Sequence, residues 1–91
     1  MSEKDQNKIP DDDWRRRGQE NYLKGIQLEL KDYFEYSPGW DHDHCEFCWA
    51  KFSLINDDDL KKGYMSENGY RWICIECFDD FKEEFSWQVK E

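Results

Sequence analysis

Two short stretches decide the fold: Cys-Glu-Phe-Cys at residues 45–48 and Cys-Ile-Glu-Cys at residues 74–77. In each stretch two residues separate the cysteines, so one tight turn can present two sulfur atoms to a single point. Zinc prefers four ligands in a tetrahedron, with thiolate sulfur at about 2.3 Å. The spacing therefore predicts one structural zinc ion, and its ligands are Cys45, Cys48, Cys74 and Cys77.

Other uses of these cysteines remain open at this point. A rubredoxin-like iron site has the same four thiolates, so the sequence does not exclude iron. A thioredoxin-like redox site needs one Cys-x-x-Cys pair at a helix start in a β-α-β unit, and that setting is missing. His42 and His44 stand beside the first pair, and either could replace a cysteine as a ligand, although four cysteines already suffice.

The predicted coordination sphere also bears on catalysis. Four thiolates fill the tetrahedron and leave no position for a water molecule or a substrate. No glycine-rich phosphate loop or Ser-His-Asp order can be picked out of the chain. We therefore expect the metal to be structural and the protein not to be an enzyme.

The composition is that of a small domain that needs such a staple. The chain has 91 residues, of which 37% are hydrophobic, 18% aromatic and 38% charged. A domain near this size buries only roughly 60–65% of the surface of its unfolded chain, so its stability is marginal without a metal or disulfides. Large rings, rather than many aliphatic side chains, must supply the core.

The net charge indicates the kind of partner. It is −9, and a zinc ion bound by four thiolates would bring it to about −11. Because nucleic-acid binding draws on phosphate neutralisation, this charge disfavours DNA and RNA and favours a protein partner with a basic surface. Arg15, Arg16 and Arg17, with rings at Trp14 and Tyr22, are the feature that supports a nucleic-acid-binding zinc finger as the alternative.

The sequence also bears on location. No stretch approaches the run of about 18 apolar residues that spans a bilayer, and the first residues lack the apolar region of a signal peptide. We expect a cytoplasmic protein with no membrane association. Thiols are kept reduced there, which favours metal ligands over disulfides. The oligomeric state is not indicated.

The first half of the chain is predicted to contain a helix and a strand. Residues 1–10 are polar and lack periodicity, so we expect a disordered leader, followed by a single zinc-stabilised domain over residues 11–91. Three aspartates each stand four residues before an arginine, which favours a helix that begins after Pro10 and ends at Gly25. Residues 26–36 alternate between apolar and polar, the pattern of a half-buried strand.

The second half is predicted to be a hairpin followed by a helix. A second strand is expected within residues 49–55 and a solvated loop at 56–63. Residues 64–66 and 70–72 flank Glu-Asn-Gly, which predicts a hairpin. Phe78, Phe81 and Phe85 recur at helical spacing, so we expect the chain to end in a helix. The fold class is thus α+β: a small single domain with an N-terminal helix, a few antiparallel strands and a hairpin, a four-cysteine zinc site and a C-terminal helix.

The aromatic residues suggest a function for the surface. Too many rings surround the cysteines for one small domain to bury them all. A cluster of Trp and Tyr left outside would suit protein binding, because interfaces are rich in these residues. We therefore expect a zinc-stabilised protein-interaction module.

The order of these parts resembles the treble-clef zinc finger: a knuckle at Cys45 and Cys48, a hairpin through Asn68 and Gly69, and a second cysteine pair that opens a helix. The resemblance covers roughly residues 40–87. It implies that the four cysteines are the ligands, and it implies no single function, since such folds serve many. The whole chain is similar to a family of small bacterial proteins through Asp-Asp-Asp-Trp-Arg-Arg-Arg-Gly-Gln-Glu at residues 11–20 and Gly-Trp-Asp-His-Asp-His-Cys-Glu-Phe-Cys-Trp at residues 39–49. That similarity implies no particular activity.

Overall fold

The structure is a computed structural model that describes residues 9–10 and 12–90. Its strands form a four-stranded sheet, ordered β5-β4-β1-β6, and a separate two-stranded sheet of β2 and β3. The elements, in chain order, are α1 (Glu20–Leu23), β1 (Gln27–Asp32), β2 (Asp43–His44), β3 (Lys51–Phe52), β4 (Lys62–Ser66), β5 (Trp72–Ile73), α2 (Ile75–Phe81) and β6 (Gln88–Val89). The predicted α+β class is confirmed.

The predicted disordered leader lies outside the described residues except for Ile9 and Pro10. Ile9 is partly buried and packs against the core. The carbonyl oxygens of both residues accept hydrogen bonds from the Arg16 guanidinium.

The predicted N-terminal helix is not confirmed beyond the four residues of α1. Residues 12–19 form turns and bends instead. Gly18 has a φ of +87°, a left-handed conformation that interrupts a helix. The predicted end at Gly25 does agree with the structure: this residue has a φ of +76°, and its backbone N–H donates to the Phe85 carbonyl at 2.7 Å.

Strand β1 lies in the middle of the larger sheet. It runs antiparallel to β4, with Leu28 opposite Ser66, and parallel to β6 at Gln27 and Leu28. The observed strand is therefore shorter than the one predicted over residues 26–36. Leu28 is buried, whereas Leu30 is 42% exposed, so the periodicity identified the strand but not the full extent of its buried face.

The predicted hairpin is formed by β4 and β5. Its loop has four residues, 67–70, because Tyr64 pairs with Ile73 and the Ser66 N–H donates to the Arg71 carbonyl at 2.9 Å. The Asn68 side-chain oxygen accepts from the Ser66 hydroxyl at 2.6 Å and from the Tyr70 N–H at 2.9 Å. The three-residue turn read from the sequence thus misses the register by one residue.

The chain does not end in a helix, as the phenylalanine spacing had predicted. Helix α2 stops at Phe81, turns follow through residues 82–86, and β6 joins the sheet. Phe85 still lies on the predicted buried face. The Trp87 indole N–H then donates to the Leu23 carbonyl at 2.8 Å. Trp87 is also buried, and an exposed helix continuation would leave this large ring in water.

Aromatic rings form most of the core, as expected. One group packs around Phe47, which stacks on Phe81 with centroids 4.7 Å apart and also contacts Phe85 and Trp87. A second group joins Tyr33, Phe52 and Trp72 at 5.0–5.8 Å. The predicted strand within residues 49–55 is reduced to β3, whose Phe52 is fully buried.

Within the described part of the chain, no helix has the length and apolar character required to cross a bilayer.

Candidate metal centre

The first cysteine pair lies in the turn that connects β2 and β3. The Cys45 N–H donates to the Ala50 carbonyl at 2.8 Å, and the Trp49 N–H donates back to the Cys45 carbonyl at 3.1 Å. Trp49 has a φ of 67°, the left-handed conformation that closes the turn. The Phe47 side chain is fully buried, and its backbone N–H points at the Cys45 sulfur at 3.4 Å. Burial of this one ring therefore anchors the whole turn.

The second pair lies at the start of α2. Cys74 is the N-cap residue, and its sulfur accepts a hydrogen bond from the Cys77 N–H at 3.4 Å. The Cys74 N–H in turn donates to the Cys45 sulfur at 3.3 Å. A helix N-terminus has unsatisfied N–H groups, which favour the anionic thiolate.

The structure brings all four sulfur atoms within 4.8 Å of one another. The sulfurs of Cys48 and Cys74 are 3.6 Å apart. A tetrahedral ion with ligands at about 2.3 Å requires sulfur atoms about 3.8 Å apart, so the arrangement fits such an ion. Cys45, Cys74 and Cys77 are buried, and Cys48 is partly exposed. These four cysteines are positioned to bind a metal ion.

The sulfur atoms perturb each other's pKa values strongly. Hydrogen bonds from the Cys74 and Cys77 thiols lower the pKa of Cys45 far below that of an ordinary thiol. The same contacts with Cys45 raise the pKa values of Cys74 and Cys77. A bound cation would displace the thiol protons, because thiolates and not thiols are metal ligands.

Arg15 is the residue of this site that the sequence analysis missed. Its Nη1 lies 3.5 Å from the Cys77 sulfur and 2.8 Å from the Asp80 carboxylate. Its Nε donates to Asp13 at 2.9 Å. The guanidinium therefore places a positive charge beside the thiolates. No sequence signal connects two residues 62 positions apart.

Arg17 and Gln19 hold the backbone of the first knuckle. The Arg17 guanidinium donates to the Glu46 carbonyl at 3.0 Å and to the Phe47 carbonyl at 3.1 Å. The Gln19 side-chain amide, which is fully buried, donates to the same Glu46 oxygen at 3.0 Å. These bonds satisfy carbonyl groups that the tight turn leaves unpaired within itself.

The two histidines lie apart from the four sulfurs. Among residues 9–10 and 12–90, the potential ligands that come within 4.8 Å of one another are the four cysteines, and neither histidine belongs to that group. The His42 Nδ1 lies 2.7 Å from the Asp41 carboxylate. The His44 ring packs against His42 and Trp49. The histidines are neighbours of the site that the structure does not bring into it.

Comparison with models of known protein families, with curated proteins and with solved structures finds no match for this chain.

Proposed function

We propose that the protein is a zinc-stabilised protein-interaction module in which Cys45, Cys48, Cys74 and Cys77 hold one structural Zn²⁺ ion. The observation that carries the metal part is the convergence of four sulfur atoms within 4.8 Å. Closed sites with four cysteine ligands are typical of structural zinc. The order of knuckle, hairpin and helix supports a treble-clef-like arrangement. Four free thiols suit a reducing compartment such as the cytoplasm.

Metal analysis of the purified protein tests the zinc assignment. We expect one zinc ion per chain and no iron, with the metal lost when two of the cysteines are replaced by serine. A stoichiometric iron content, with the visible absorption of iron–thiolate charge transfer, would replace zinc by iron in this proposal.

A binding role, rather than catalysis, is supported by the closed ligand set and by the surface. Four thiolates leave a zinc ion no open position for chemistry. Large apolar side chains remain at least 39% exposed at several places, and these are Trp14, Tyr22, Leu30, Phe34, Tyr36, Trp49, Leu54, Ile55, Tyr70, Ile75 and Val89. Exposed aromatic residues are common in protein interfaces.

The alternative of nucleic-acid binding has lost its main support. All three arginines bond to the protein's own groups. Arg15 bonds to a sulfur and two carboxylates, Arg16 to a carboxylate and two backbone carbonyls, and Arg17 to two backbone carbonyls. The net charge of −9 repels phosphate. An electrophoretic mobility-shift assay at low salt is the check, and we expect no retarded band with DNA or RNA.

Affinity purification of the tagged full chain from its native host, followed by calorimetry with each recovered protein, tests the interaction role. We expect at least one partner that binds the purified, metal-loaded protein directly. If no recovered protein binds directly, the interaction role is wrong.

A further inference from the structure

Three aromatic side chains form a cluster on the surface, here called the aromatic face: Tyr36, Trp40 and Tyr70. The Tyr36 ring lies 5.0 Å from Trp40 and 4.9 Å from Tyr70, and the Trp40 and Tyr70 rings are nearly parallel at 5.9 Å. Tyr36 is 41% exposed and Tyr70 is 49% exposed. Rings from two distant parts of the chain thus meet where water reaches them.

Neighbouring groups hold the aromatic face in place. The Trp40 indole N–H donates to the Asp43 carboxylate at 2.8 Å, and the Trp40 backbone N–H donates to the Ser37 carbonyl at 2.9 Å. Tyr36 lies against the hairpin loop, where a Cβ atom added to Gly69 would come within 2.8 Å of its ring. The face is therefore built on a fixed loop and a fixed hairpin, and a ligand would not have to order it.

Carboxylates border the aromatic face. Asp43 bonds to the Trp40 indole, and Asp41 follows Trp40 in the chain. The side chain of Asp41 is 58% exposed. Negative charge therefore lies beside the Trp40 end of a cluster whose ring faces already attract cations.

Other exposed rings of this protein have cations of their own. Arg71 lies over Tyr22 at 4.3 Å, Arg17 lies over Trp49 at 5.0 Å, and Lys31 lies over Phe34 at 5.9 Å. Among the residues that the structure describes, no cation lies over the three rings of the aromatic face. As far as the described residues go, these rings are thus open to a cation from another molecule.

We propose that the aromatic face is the docking site for a protein segment that carries lysine or arginine side chains. The cation lies against Tyr36 and Tyr70, and the bordering carboxylates pair with it. This inference rests on the proposed interaction role and adds the site and the chemistry of the partner. Charge complementarity selects this occupant, because the net charge of −9 and the Asp41 and Asp43 carboxylates would repel an acidic segment, whereas a cation gains both the ring faces and these charges.

A peptide titration tests the inference on the full, metal-loaded chain. The probe is a capped hexapeptide, Gly-Lys-Gly-Gly-Lys-Gly. Its binding is monitored through the NMR chemical shifts of the tryptophan indole N–H groups and of the tyrosine rings. We expect shifts at Trp40, Tyr36 and Tyr70. Replacement of both peptide lysines by Nε-acetyl-lysine, which removes the charge and keeps the chain, should weaken binding about 10-fold or more, in line with the strength of a partly desolvated cation–π contact.

Two variants of the protein locate the site. Tyr70→Leu keeps an apolar side chain and removes the ring, and we expect about 10-fold weaker peptide binding. Trp14→Leu is the matched control, since Trp14 is 63% exposed and lies outside the aromatic face. It should change the affinity less than twofold. If Tyr70→Leu proves unfolded by circular dichroism, Asp41→Asn replaces it, with weaker binding and a reduced salt dependence expected.

Three results would overturn the inference: equal binding of the acetylated peptide, equal weakening by Trp14→Leu, or no shift at the aromatic face at low salt. The interaction role can stand when this inference fails. A partner recovered from the host that binds the wild type and Tyr70→Leu equally well would keep the interaction role and reject the aromatic face. Absence of any direct partner, with the lysine peptide still bound at the face, would do the reverse.

Discussion

Among single residues, the three consecutive arginines best illustrate how tertiary contacts override local pairing. The spacing of Asp13 and Arg17 predicts an ion pair on a helix, yet Asp13 pairs with Arg15 at 2.9 Å. Arg17 binds backbone carbonyls of the knuckle instead, and Arg16 pairs with Glu84 at 2.6 Å. Exposed i,i+4 pairs contribute only about 0.2–0.5 kcal/mol, so partly buried contacts of this kind outweigh them.

Replacement of Arg15 should loosen the metal without removing a ligand. In Arg15→Met the charged hydrogen bond to the Cys77 sulfur is lost, and the Asp80 carboxylate loses its partner. Loss of a hydrogen bond to a metal ligand changes metal affinity about 10- to 100-fold. We therefore expect transfer of the metal to a chromogenic chelator to become at least 10-fold more favourable, measured under native conditions.

Arg16→Met is the matched control for that experiment. This residue belongs to the same segment, but its guanidinium pairs with Glu84 and donates to the Ile9 carbonyl, whereas that of Arg15 contacts the Cys77 sulfur. We expect it to lower stability modestly while the metal affinity stays within threefold of wild type. Equal metal affinity in Arg15→Met and wild type would show that Arg15 is only a packing contact.

Tyr33 gives the protein a pH dependence on the alkaline side. Its side chain is buried and donates to Asp43 at 2.8 Å, and burial is the main cause that raises the pKa of its hydroxyl. A raised folded-state pKa contributes stability that is fully present below the unfolded value of about 10 and is lost as the pH rises toward the folded value.

Urea unfolding of wild type and Tyr33→Phe between pH 8 and 11 measures this effect. We expect the wild type to lose stability above about pH 10 more steeply than the variant, because only the wild type must ionise this hydroxyl on unfolding. Parallel pH profiles for the two proteins would contradict the raised pKa of Tyr33.

Among the elements, the hairpin of β4 and β5 links the aromatic face to the metal centre. Its loop contacts Tyr36, and its second strand leads directly into Cys74. Trp72 in β5 also forms a bridge with Cys45, so the two cysteine pairs meet at this strand. The geometry of one short hairpin therefore affects both sites.

Substitutions at two glycines distinguish the cost of backbone strain from the cost of side-chain crowding. Gly39 and Gly69 both have a φ above +80°, but only at Gly69 would an added Cβ meet another group, the Tyr36 ring at 2.8 Å. Gly39→Ala should cost about 1–2 kcal/mol for the left-handed conformation alone. Gly69→Ala should cost that amount and a further ~1 kcal/mol or more from crowding, measured by urea unfolding. Equal losses would mean that Tyr36 moves away freely.

For the whole molecule, the four cysteines join two regions of the fold that also share the aromatic core. One pair belongs to the small β2–β3 sheet and the other to the start of α2, beside the larger sheet. A domain of this size has a stability of only about 5 kcal/mol or so. Metal binding to a site with four cysteines contributes about 10–16 kcal/mol. The metal is therefore expected to decide whether the domain folds.

Removal of the metal should unfold the protein. We expect both chelation under reducing conditions and the substitution Cys74→Ala to abolish the near-ultraviolet circular dichroism of the buried tryptophans. Added Zn²⁺ should restore the signal of the chelated wild type but not that of the variant. Retention of the full spectrum in protein shown by metal analysis to be metal-free would contradict a structural role for the metal.

The sequence by itself was enough to identify the four cysteines, the α+β class, the hairpin and a helix that starts at the second cysteine pair. These features depend on local patterns, such as residue spacing and turn residues, which act over a few positions. The prediction that the chain ends in a helix failed because Trp87 stacks back on Phe78 of α2 and bonds to the Leu23 carbonyl, so the chain turns after Phe81.

Only the tertiary structure decided the partners of the arginines, the exclusion of both histidines from the sulfur cluster and the rings that stay on the surface. Arg15 and Cys77 are 62 positions apart, and Tyr36 and Tyr70 are 34 apart. Such contacts depend on how the helices and strands pack, because the packing decides which of several similar side chains come into contact. Spacing along the chain carries that information only within one element.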